Sequence, residues 1–114
     1  MKNLIMFKTV PEDYKKFIIH FGIIPTLILM DKFENLEMYE ECGKILKAIN
    51  SINKKAKIYK DTKLNDEIIN DVIDDYRKMG FEDMTKEMLM IRSERYASRF
   101  ISENSFVIFT DKKS

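Results

Sequence analysis

The sequence predicts a mainly α fold, a small bundle of four to five helices forming one domain over residues 1–114, with a short two-stranded β element if the termini pair. Three observations carry this. Apolar residues recur at helical spacing through most of the chain, caps and glycines punctuate those stretches, and two short runs with strand character lie at opposite ends. With 114 residues, 45% apolar and 34% charged, and no Ser, Gly or Pro tract, the chain can bury a core without metal or disulfide.

Leu4 to Phe7 and Phe106 to Phe109 have the β-branched and aromatic content of buried strands. Two strands alone are marginal in water, so a ribbon of the two must lie on the helices or on another subunit. Thr9-Val10-Pro11-Glu12 has the form of a capping box with proline in the first turn, and Tyr14, Phe17, Ile18 and Phe21 then share a face up to Gly22. Residues 25 to 36 suit a helix, although 26 to 30 also read as a short buried strand. From Met38 to Ile52 the stripe is Tyr39, Cys42, Ile45, Leu46, Ile49 and Ile52, and from Leu64 to Met79 it is Ile68, Ile69, Val72, Ile73 and Tyr76, stopped by Gly80. A last helix opens at Asp83 or Thr85 and runs to about Asn104, with Met88, Leu89, Tyr96, Ala97, Phe100 and Ile101 facing inward.

Phe33 to Ile49, with an acidic turn ahead of an apolar helix, resembles the turn and second helix of the UVR hairpin of excision-repair proteins. The likeness spans 17 of 114 residues. It lacks that family's Arg-Asp pair, Lys47 standing near the acidic position, and Gly43 replaces a helix-favouring alanine. What it implies is a helical hairpin from 25 to 52.

Composition narrows the function. The single Cys42 excludes an internal disulfide and a multi-thiolate metal site, and fits a reducing compartment. The amino terminus has no secretory pattern, and the run from Phe17 to Met30, broken by His20, Gly22 and Pro25, reads as core and not as a membrane span. Lysine and isoleucine, 16 each, far exceed arginine at 4 and alanine at 3, which points to an AT-rich genome of a low-GC bacterium or phage.

Charge is segregated although the net value is only +1. Residues 44 to 63 hold seven lysines and one acid, and residues 64 to 87 hold eight acids and three bases. Glu67, Asp71, Asp74 and Asp75 form a carboxylate row, while Arg92, Arg95 and Arg99 repeat at helical spacing. If the last two helices form an antiparallel hairpin, Asp71 meets Arg92 and Glu67 meets Arg95 or Arg99. The lysine block then lacks an internal partner. Lys54, Lys55, Lys57, Tyr59 and Lys60 would suit an anionic surface such as nucleic acid, with Tyr59 stacking on a base.

Candidate chemistry is sparse. His20, the only histidine, excludes a multi-histidine metal site and falls in a last helical turn, where the helix dipole favours it. Cys42 lies on an apolar stripe, where burial blunts a thiol. The carboxylate row could hold a hard cation, but no second helix supplies a Glu-x-x-His element, so it reads as a solvated face. Met79, Met84, Met88 and Met90 place half of the methionines within twelve residues, too many for all to face inward, and exposed methionine makes an adaptable contact surface.

The expectation is a non-enzymatic macromolecular interaction protein: a protein-binding accessory or assembly factor, cytoplasmic, phage- or mobile-element-encoded, able to self-associate, with no cofactor and no small-molecule substrate. The alternative is an accessory nucleic-acid-binding protein using the 54–60 segment.

Overall fold

The computed structural model describes the backbone of residues 3–52 and 63–109, and side chains from 6 to 52 and 63 to 105. Among these residues it shows five helices and one ribbon, a mainly α fold within the expected four to five helices, with the termini paired. β1 (Asn3–Phe7) leads to α1 (Pro11–Phe21), α2 (Ile23–Asn35), α3 (Tyr39–Ile52), α4 (Asp66–Lys78), α5 (Lys86–Asn104) and β2 (Ser105–Phe109). The two strands pair antiparallel with Asn3 opposite Phe109 and Phe7 opposite Ser105. The ribbon lies on the helices at Phe7, whose ring meets Phe33 of α2 edge-on at 4.9 Å.

Local chemistry explains the helix ends. At the start of α1, extended Val10 is the cap, and the Asp13 carboxylate accepts its N–H at 2.8 Å. The expected Thr9 cap is therefore corrected: its hydroxyl is buried and donates to Glu41 of α3 instead. Gly22 at φ 90° turns the chain from α1 into α2, and Gly80 at φ 106° ends the turn after α4, both in the left-handed region that favours glycine. Asn65 and Thr85 cap α4 and α5, accepting from the N–H groups of Ile68 at 2.9 Å and Met88 at 3.2 Å.

Residues 26–30 are helical, and α2 begins at Ile23. Pro25 fits this first turn because its missing N–H would have no helical acceptor there. Ile24, Pro25, Thr26, Leu27, Ile28 and Leu29 are all buried, since α2 is enclosed by α1, α3 and α5. A stretch buried on every side, as 24–29 is here, has no polar face, which is why its period is indistinct in the sequence. Tyr14, Phe17 and Phe100 fill the space beside it, with Phe100 5.2 Å from each of the other two rings. Two ends of the α3 stripe are corrected: Tyr39 is 62% exposed and Ile52 40% exposed, because both lie in end turns beyond the reach of α1 and α2. No helix among the described residues is long and apolar enough to cross a membrane.

Candidate interaction surface

The first residues of α4 and α5 meet: Lys86 Nζ lies 2.7 Å from Asp66 Oδ1. The antiparallel register expected from the charge rows would set Lys86 beside the other end of α4, so that register is corrected. The longer contact of α5 is with α2, joined by Lys32 to Glu94 at 2.5 Å. Leu89, Ser93, Ala97 and Phe100 consequently face the core, and the opposite side of α5 faces out.

That outer side is Met88, Ile91, Arg92, Arg95 and Arg99, at helical spacings of three and four and all exposed. Arg92, Arg95 and Arg99 line an open groove with Tyr96. Tyr96 is fixed from behind by stacking on Phe21 at 4.3 Å, and its hydroxyl accepts from Arg92 Nη2 at 3.3 Å. Among the described residues none of the three arginines forms an ion pair, and the pairings of Asp71 with Arg92 and of Glu67 with Arg95 or Arg99 do not occur. In a chain with 16 lysines, three of its four arginines share this stripe. Arginine is the cation whose planar fork binds carboxylates in pairs. No family model, curated protein or solved structure matches this chain.

The methionine cluster divides. Met79 and Met88 are exposed at 65% and 45%, so the inward placement of Met88 is corrected; its position faces away from α2. Met84 is in the core and cannot reach a partner, and half-buried Met90 lines a hollow between α2 and α5 with Leu27, Ile28 and Met30. Phe81 and Ile91, which the sequence analysis did not single out, are more than half exposed. Ile91 lies four residues before Arg95, and that spacing was its signal. The segment Lys54, Lys55, Lys57, Tyr59 and Lys60 lies outside the described residues.

Other candidates carry little chemistry. His20 is exposed in the last turn of α1, its ring edge-on to Phe21. Half-buried Cys42 has its thiol raised above the ordinary range, by burial first and the Glu34 carboxylate second, and sits 3.5 Å from the Met30 carbonyl oxygen. Glu67, Asp71, Asp74 and Asp75 are all exposed on α4, and among the described residues no group of three or more His, Cys, Asp or Glu converges as a metal site would require.

One buried polar cluster joins residues far apart in the chain. Glu41 is 5% exposed, and its Oε1 accepts from Thr9 and from the Tyr14 hydroxyl, while Oε2 accepts from Lys44 Nζ at 2.8 Å. Lys44 also donates to the Thr9 carbonyl at 2.8 Å. Both carboxylate oxygens are engaged, so the cluster ties the β1–α1 connection, α1 and α3 together. A carboxylate one turn ahead of Ile45, with lysine three residues on, was the available signal.

Proposed function

We propose that this chain is a non-catalytic protein-binding module that contacts an acidic protein surface through the outer stripe of α5. The observation that carries the reading is the Arg92, Arg95 and Arg99 row, without an ion pair among the described residues, set beside exposed Met88 and Ile91. Protein interfaces are enriched in arginine, methionine and aromatic residues, and an apolar centre with charged neighbours supplies burial and orientation together. A protein partner is favoured over nucleic acid because the exposed carboxylates of α4 would repel a polyanion. The cytoplasm, with an accessory or assembly role in a phage or low-GC bacterium, is the setting this reading proposes, consistent with the single free cysteine.

A photo-crosslinking residue placed at Ile91 or Ser98, in the cells that make the protein, tests the reading against the same residue at Lys16 on the outer side of α1. Protein adducts from α5, abolished by Arg92→Glu, Arg95→Glu and Arg99→Glu together, are expected. Nucleic-acid adducts, or no adducts specific to α5, would overturn it.

A further inference from the structure

The acidic surface that the α5 stripe requires is present on the chain itself. Glu67, Asp71 and Asp74 recur at spacings of four and three on α4, Asp75 flanks them, and all four are exposed with no ion pair among the described residues. Arg92, Arg95 and Arg99 recur at the matching spacings of three and four on α5. One chain thus carries two complementary rows of the same length, and among the described residues its fold forms no ion pair between them: α5 makes its longer contact with α2, and the ion pair that joins α4 to α5 is Asp66 with Lys86. From this we infer that the partner is a second copy of this chain, whose α4 carboxylate row docks on the α5 arginine row. The inference rests on the protein-binding reading of α5 and names its occupant.

A reciprocal two-fold contact satisfies both rows at once, since α4 of each copy meets α5 of the other. Charge alone would make such a contact weak. Apolar burial is available beside it: Met79, Phe81, Met88 and Ile91, four of the ten large apolar side chains exposed among the described residues, fall in the α4–α5 turn and the first two turns of α5. Arginine rather than lysine suits the basic row, because its fork can bind carboxylates bidentately across the interface.

Sedimentation of the purified full chain over a concentration series decides the matter. The chain should self-associate, and its dissociation constant should rise at least about tenfold between about 0.1 M and about 1 M salt, as the screening length shortens from about 10 to about 3 Å. Reversing the basic row (Arg92→Glu, Arg95→Glu, Arg99→Glu) or the acidic row (Glu67→Lys, Asp71→Lys, Asp74→Lys) should each weaken self-association about a hundredfold or more. An equimolar mixture of the two reversed chains should associate again, because each then offers the complement of the other. Circular dichroism checks that both fold, and neutral Arg→Gln replacements, expected to weaken association without restoring it in the mixture, serve if a reversed chain does not. A chain that stays monomeric at every concentration, or association indifferent to both reversals, overturns the inference. If the chain is monomeric while α5 still crosslinks other proteins in cells, only the self-partner is lost; absence of any α5 adduct removes the underlying reading.

Discussion

The Tyr14 hydroxyl donates to Oε1 of Glu41 at 2.5 Å, joining α1 to α3 through a carboxylate that is nearly sealed from water. A buried charge is tolerated only when its hydrogen bonds are complete, and here Thr9 and Lys44 supply the remainder. Tyr14→Phe should cost about 1.5 to 3 kcal/mol, the usual loss of one bond to a charged group. Glu41→Leu should cost more, about 3 to 5 kcal/mol, because it strands the Thr9 and Tyr14 hydroxyls and the Lys44 ammonium together. Urea midpoints read with unchanged slopes give both values, and a neutral Glu41→Leu would show that the cluster does not stabilise the fold.

The same cluster sets a pH window. Burial opposes the charge on Glu41, but the bonds from Lys44, Thr9 and Tyr14 outweigh it and hold the carboxyl below its ordinary value. Its contribution is complete above the ordinary carboxylate value of about 4.3 and is lost as pH falls through the lower folded value. Tyr14 moves the other way, because burial first and the Glu41 bond second push the phenol well above its ordinary range. Its contribution is complete below about 10 and is lost as pH rises beyond that. Relative to the parent, Tyr14→Phe should flatten the alkaline loss of stability measured by urea unfolding across pH. An alkaline limb of unchanged depth would detach Tyr14 from this account.

Glu37, in the turn between α2 and α3, adopts φ 59°, a left-handed conformation that costs a side-chain-bearing residue about 1 to 2 kcal/mol. Its N–H reaches the Glu34 carbonyl at 2.9 Å, and the next N–H reaches Phe33 at 2.8 Å, so the turn holds the strain in place. Glu37→Gly should stabilise the protein by about 0.5 to 1 kcal/mol, the strain relieved being partly offset by the greater freedom of the unfolded chain. Thermal unfolding checks the sign, and a lower melting temperature would mean that the turn is not strained.

Met84 and Met88, four residues apart, should separate cleanly. Met84→Ala opens a cavity in the core and should cost about 2 to 5 kcal/mol. Met88→Ala removes an exposed side chain and should stay within about 0.5 kcal/mol. Denaturant unfolding of the two variants side by side would expose a reversed order, which would put α5 in the wrong rotation.

How far the sequence speaks can be judged residue by residue. The stripe Ile68, Ile69 and Ile73 is a local pattern with one solvated face, and α4 appears where that pattern lies, capped by Asn65 and closed near Gly80. The two ends, which share strand character, likewise pair with each other. By contrast residues 24–29 of α2 are buried on every side, so their periodicity carried no direction, and only packing against three neighbours distinguishes this stretch as helix.

What the sequence by itself determined is most of the set of elements: α1, α3, α4 and α5, the strand character of the terminal ribbon, and the charge rows that α4 and α5 carry. Those follow from interactions between residues a few positions apart, which the order of the chain contains directly. Only the tertiary structure decided which rows meet. Arg92 faces solvent and not Asp71 because α5 gains more by covering the apolar faces of α2 than by pairing surface charges worth about 0 to 1 kcal/mol each. The same hierarchy brought Thr9, Tyr14, Glu41 and Lys44 together from positions up to 35 residues apart, where burial, and no pattern along the chain, makes their bonds obligatory.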